Sequence, residues 1–236
     1  MKSAGIKKAV MAVIFVLLLI LAAINILFTV ILYSPQKPLK LSAEMMDSRL
    51  YEDLVSGGDV CFLGDSITDG TGVDGNPWYR PIECYITGNV FNVSKGGYTS
   101  DDLVRRLDDV PVADTYVVAI GTNDHLNPIS TEHYVANIGK IYEHLKSISS
   151  DCDIFFIAPW TVCDPSDELL AHRQSFADAL SLFCDSNDSF FIDSTPYILE
   201  RVRYISIFYM AEELHPNKNW GVKLYSEAVL ISAEQA

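Results

Sequence analysis

The sequence predicts an α/β fold in which a parallel sheet is covered by helices on both faces, preceded by one transmembrane helix. Three observations predict it. Five short apolar runs, residues 59–63, 90–93, 115–120, 153–158 and 189–192, read as strands. Segments of helical periodicity fall between them, and unbroken apolar strands alternating with helices are the pattern of a parallel sheet buried on both sides. Ahead of all this, residues 9–33 carry no charged side chain, and only Asn25 and Thr29 are distinctly polar.

In chain order, residues 1–8 form a tail with Lys2, Lys7 and Lys8. Residues 9–33 are long enough as a helix, at about 1.5 Å per residue, to exceed a hydrocarbon core of about 30 Å. A cleaved signal peptide normally has an apolar stretch of about 7–15 residues ending at a small-residue site. Here Ala22-Ala23 lies in mid-run, so an uncleaved single-pass anchor is expected. The basic tail favours a cytoplasmic N-terminus and an extracytoplasmic C-terminal domain. Residues 34–43, with two prolines and no periodicity, read as a stalk, and residues 44–236 as the domain. Leu41, Met45, Met46, Leu50 and Leu54 suit a helix over 41–55. Further helices are expected over 101–107, 131–148, 168–184 and about 217–233. In parallel sheets, sites collect beyond the carboxyl ends of the strands. Ser66, Gly97 and Asn123 each follow such an end.

The chain has 17 Lys+Arg against 31 Asp+Glu. Three of the basic residues and none of the acids precede the apolar run, leaving 14 against 31, a net charge of −17 for the rest. That balance speaks against nucleic acid as a partner. The five cysteines form no CxxC pair and no Cys/His cluster of zinc spacing, so no metal or cofactor is expected. Cys61 and Cys152 adjoin apolar runs and read as small buried hydrophobes.

Four separated blocks carry chemistry. Gly64-Asp65-Ser66 places a serine at a strand-to-helix turn, where its hydroxyl is a candidate nucleophile and its N–H a candidate oxyanion donor. The alternative for Ser66 is a plain helix cap. Asn92 to Thr99 contains Gly96-Gly97, where glycine permits a positive φ and close backbone approach to a ligand. Gly121-Thr122-Asn123-Asp124 offers a side-chain amide at Asn123 to developing negative charge, while Asp124 is expected to hold the loop. In Glu212-Glu213-Leu214-His215-Pro216, the offset of three allows the Glu212 carboxylate to orient His215, and Pro216 suits the first position of the last helix. His125, beside Asn123, is expected to line the pocket. Trp78, Tyr79, Trp160 and Trp220 are candidates for stacking on sugar, although aromatic residues more often belong to a core.

On these blocks the chain resembles the SGNH hydrolases, the GDSL-like lipase/acylhydrolase family, from about residue 59 to 229. The resemblance implies a flavodoxin-like three-layer α/β/α sandwich, no metal and a serine acyl-enzyme. It implies Ser66 as nucleophile, His215 as general base then acid, and an oxyanion hole of the Ser66 N–H, the Gly97 N–H and the Asn123 side chain, with Asp65 and Asp124 supporting. One position departs: the family usually has Asp where this chain has Glu212. The expected function is hydrolysis of small acyl esters, O-acetyl groups on cell-envelope glycans foremost. A glycan O-acetyltransferase, a lysophospholipase or thioesterase, and a non-catalytic binding module on the same fold are the competing readings. Oligomeric state is left open.

Overall fold

The computed structural model describes residues 2–33 and 37–233. Of the expected elements, Met1, residues 34–36 of the stalk and residues 234–236 lie outside the described residues. The chain divides into two units, Met1–Gln36 and Lys37–Ala236.

The first unit is a single helix, α1 (Lys2–Tyr33). Its stretch Val10–Val30 has a mean hydropathy of 3.1 and is long and apolar enough to cross a membrane, a test that a signal sequence also passes. The Asn25 amide donates to the Leu21 carbonyl at 2.9 Å and the Thr29 hydroxyl to that of Asn25 at 2.8 Å. Both polar side chains are thus satisfied by their own helix, as an apolar surrounding demands.

The second unit begins in extended chain. Leu39 is buried, donates its N–H to the Pro81 carbonyl at 2.8 Å and accepts from the Tyr85 hydroxyl at 2.7 Å, so packing starts earlier than the expected boundary at 44. The helix expected over 41–55 is two, α2 (Ala43–Met46) and α3 (Arg49–Val55). Ser48 causes the break: its hydroxyl accepts from the Tyr51 N–H at 3.2 Å and starts a new helix. Then follow β1 (Val60–Gly64), α4 (Ser66–Asp69), β2 (Val90–Ser94), α5 (Ser100–Val104), β3 (Thr115–Ala119), α6 (Thr122–Leu126), α7 (Thr131–Ile148), β4 (Asp153–Ile157), α8 (Asp167–Ser186), β5 (Phe190–Ile192), α9 (Thr195–Tyr209) and α10 (Trp220–Ser232).

All five strands pair in parallel in the order β2-β1-β3-β4-β5, the flavodoxin-like order. Along each strand successive side chains go to opposite faces. Val60, Phe62, Val117 and Phe155 meet α3, α9 and α10 in one core, and Cys61, Leu63, Val118 and Phe156 meet α5, α7 and α8 in the other. Residues of β1 and β3 are buried throughout, which is why their sequences are unbroken apolar runs.

Two expectations about helices change. Helix α9 was not expected from its mixed sequence, although Pro196 in its first turn is a start signal. The last helix begins at Trp220 rather than near 217. The Asn217 side-chain oxygen accepts from the N–H groups of Asn219, Trp220 and Gly221 at 3.1, 2.9 and 3.1 Å and so opens the helix. Pro216 instead pairs with Met210 in a short antiparallel bridge.

Candidate active site

The carboxyl ends of β1, β2 and β3 bring three of the four blocks to one edge of the sheet. At the end of β1, Gly64 leaves no room for a side chain: a Cβ there would lie 2.4 Å from the Ala119 carbonyl oxygen and 2.6 Å from the Thr68 hydroxyl. The chain turns at once into α4. Asp65 caps it, accepting from the Ile67 N–H at 3.0 Å, and Ser66 is its first residue. Asp65 is fully buried. Burial pushes its carboxyl up to about 6, against the opposing pull of the Ile67 N–H, the Thr122 hydroxyl and the nearby His215.

The fourth block comes from the segment between α9 and α10. His215 Nε2 lies 2.7 Å from Ser66 Oγ. The His215 ring Nδ1 contacts Glu212 Oε1, which also accepts from the His215 N–H at 2.7 Å, while Oε2 accepts from the Leu214 N–H at 3.1 Å. Partial burial works against the Glu212 charge, but these donors hold its carboxyl below the usual range. The extra methylene of glutamate is taken up by folding the side chain back onto the backbone of its own loop. A further bond anchors that loop: the Cys163 N–H donates to the Glu213 carbonyl at 2.7 Å.

A cavity of about 470 Å³ opens between these blocks. Ser66, His215, Gly97 and Asn123 line it together with Thr71 and Leu214. Gly97 has φ +81, and a Cβ there would meet nothing within 4 Å, so its open side is the cavity itself. Among the described residues, no hydrogen-bond partner is seen for the backbone N–H of Ser66 or of Gly97. The Asn123 side-chain nitrogen donates to the Tyr98 carbonyl at 2.8 Å, which uses one of its two N–H groups and fixes the plane of the amide. Asp69 ties the floor of the cavity, accepting from the Gly96 N–H at 3.2 Å and from the Thr71 hydroxyl. Asp124 points away from the cavity chemistry. It is buried and accepts from the Ser100 N–H at 2.9 Å, joining the ends of β2 and β3 through α5 and α6.

Four expectations are corrected. His125 does not line the cavity. It is buried, with Nε2 2.7 Å from the Trp160 carbonyl oxygen, and burial pushes its pKa down to about 4. Trp78, Tyr79 and Trp160 are core residues rather than sugar platforms, each no more than 3 % exposed. Phe62 explains two of them, since its ring stacks on Tyr79 and meets Trp78 edge-on. Trp220 alone of the four is exposed. Asp69 and Thr71 are site residues that the sequence reading passed over; their place directly after the serine block was the available signal.

Comparison with known proteins agrees with this architecture. No curated protein sequence matches the chain. Solved structures do. A member of the lipolytic protein G-D-S-L family from Veillonella parvula superimposes with a TM-score of 0.63 at 21% identity, covering 73% of this chain and 96% of its own. An acetylxylan esterase from Geobacillus stearothermophilus superimposes with a TM-score of 0.65 at 17% identity, covering 76% and 95%. At such identities the likeness speaks for the fold. The sequence itself matches the profile of the GDSL-like Lipase/Acylhydrolase family over residues 62–219, two thirds of the chain and all four blocks. The chain therefore belongs to the GDSL-like Lipase/Acylhydrolase family and is a serine hydrolase acting on ester bonds.

Proposed function

We propose that the protein is a membrane-anchored esterase that removes small acyl groups, O-acetyl foremost, from cell-envelope glycans, with Ser66 as nucleophile. The observation that carries this reading is the contact of 2.7 Å between His215 Nε2 and Ser66 Oγ. Ser66 Oγ attacks the ester carbonyl carbon and His215 Nε2 takes its proton. Glu212 holds the ring and balances the imidazolium. The Ser66 N–H, the Gly97 N–H and the free N–H of the Asn123 amide donate to the oxyanion. His215 returns the proton to the departing alcohol, and water then resolves the acyl-enzyme by the same route.

Leu214 is the one aliphatic side chain among the residues lining the cavity, which supports a short acyl group over a long one. Acetyl removal from a glycan is also the chemistry named for the structurally similar Geobacillus enzyme. Lys2, Lys7 and Lys8 ahead of the apolar helix favour a cytoplasmic N-terminus with the catalytic domain outside. The test is a series of p-nitrophenyl esters from acetyl to long chain. Wild type turns over the acetyl ester fastest. Ser66→Ala loses about 10⁴-fold or more in kcat while keeping its melting temperature. Retained turnover in Ser66→Ala removes this serine from the reaction.

A further inference from the structure

Acids outnumber bases in this domain by 31 to 14, yet one lysine lining the cavity has no acid partner among the described residues. Lys95 lines the Ser66 cavity, is the one Lys or Arg that does so, and makes no ion pair among the described residues. It directly follows β2, and its N–H donates to the Gly64 carbonyl at 3.2 Å, so its backbone is held beside the serine turn. Asp69 lines the same cavity and keeps its charge, yet it forms no ion pair with Lys95. Asp69 accepts from Gly96 and Thr71, and Glu212 is engaged with His215.

Lys95 also borders a second cavity of about 320 Å³, which carries Ser94, Tyr98, Arg106 and Asp109. Arg106 is paired with Asp109 at 2.7 Å and is half neutralised. The Ser94 hydroxyl is shielded from solvent and has no partner among the described residues. Lys95 thus borders both cavities while its ammonium takes part in no ion pair among the described residues.

We propose that the alcohol half of the ester extends from the Ser66 cavity toward the second one, and that this alcohol carries an anionic group, a carboxylate or a phosphate, that pairs with Lys95. The proposal rests on the esterase reading above and names its substrate class. A short acyl group offers an ammonium nothing to bind, so the anion belongs to the alcohol. The domain's overall negative charge does not oppose this at contact range. Exposed charges farther than about 8 Å away are largely screened at physiological salt, whereas a contact pair is not.

The test uses two matched ester pairs: 1-O-acetylglycerol against its 3-phosphate, and O-acetylglucose against O-acetylglucuronate, with acetate release as readout. Wild type favours the charged member of at least one pair by about tenfold in kcat/KM, mostly through KM. The pair that shows the preference tells phosphate from carboxylate. Lys95→Gln brings the ratio to about one and Lys95→Glu inverts it. Lys37→Gln, which removes the same formal charge from an exposed site elsewhere, keeps the wild-type ratio. In parallel, calorimetry on Ser66→Ala shows tighter binding of the charged ester, and the difference vanishes in Ser66→Ala/Lys95→Gln. Equal binding of charged and neutral esters by Ser66→Ala overturns the proposal, as does an equal loss of preference in Lys37→Gln. Discrimination by Ser66→Ala without turnover of any ester by wild type would instead leave the anion site standing and refute the esterase reading.

Discussion

A single oxygen of Glu212, Oε1, accepts from both the backbone N–H and the ring of His215. The family usually has the shorter aspartate at this position, and here the glutamate reaches the ring by curling over its own loop. The Leu214 N–H on the other oxygen completes the clamp. The carboxylate is therefore placed by local backbone rather than by distant packing.

Glu212→Gln should test that clamp. The amide keeps the shape but cannot balance the imidazolium, and one of its ends presents a donor to donors. Turnover of an acetyl ester is expected to fall by about 10²-fold or more, with KM little changed. Glu212→Asp is expected to recover only part of this, because the shorter side chain cannot hold both backbone N–H groups and the ring. Full activity in Glu212→Gln would show that the ring needs no anionic partner.

The oxyanion side separates into two substitutions. Asn123→Ala should cost about 10²–10³ in kcat, the usual cost of one such donor. Gly97→Ala meets no atom but forces a side chain to φ +81. It should lose about 1–2 kcal/mol of stability, seen as a fall of about 2–8 °C in melting temperature. Its activity should fall further than that loss explains, since the new methyl group stands in the cavity.

Asp65 gives a pH signature. Its folded value of about 6 lies above the ordinary 3.8, so the folded state binds the proton more tightly than the unfolded chain. Below about pH 4 both states are protonated and the residue is neutral in its effect. Stability then declines as pH rises between about 4 and 6, and the cost levels off above that at about 3 kcal/mol. Asparagine caps a helix equally well and carries no charge. The stability of Asp65→Asn relative to wild type should therefore rise from pH 4 to 6 and stay flat above it in denaturant melts. A difference independent of pH would show that the buried carboxyl is not the source.

Arg173 is a buried cation that staples the ends of β4 and β5. It donates to the Pro159 carbonyl at 2.7 Å, to Asp193 at 2.7 Å and to the Thr195 hydroxyl at 2.9 Å. Removing one partner of a buried pair strands the other, so Arg173→Ala should cost about 3–5 kcal/mol. The measurement is chemical denaturation at neutral pH. A loss below about 1 kcal/mol would mean that water replaces the guanidinium.

Some elements were readable before any coordinates because their signals are local. The run TYVVAI reads as a buried strand because it is short, rich in β-branched and aromatic residues, and bounded by Asp114 and Gly121. Thr131–Ile148 has the same bounds as the helix expected there, because a capping serine precedes it and its apolar stripe keeps a helical period. Helix α9 was missed because its β-branched and aromatic residues argue against a helix locally; packing of Ile198 and Val202 against the sheet overrides that preference. Trp78 and Trp160 look alike to Trp220 in sequence, and only the packing sends two inside and one out.

The parallel α/β architecture, the apolar N-terminal helix and the candidate chemical groups were legible from residue order alone, because periodicity, strand-end glycines and side-chain types are properties of short segments. It took the folded chain to show that Ser66 and His215, 149 residues apart, lie in hydrogen-bond reach, that Glu212 folds back onto its loop, and that Lys95 borders two cavities with no ion pair among the described residues. Those facts depend on how strand order and crossovers bring distant turns to one sheet edge, and no local preference encodes a distance between segments that meet only after the core has formed.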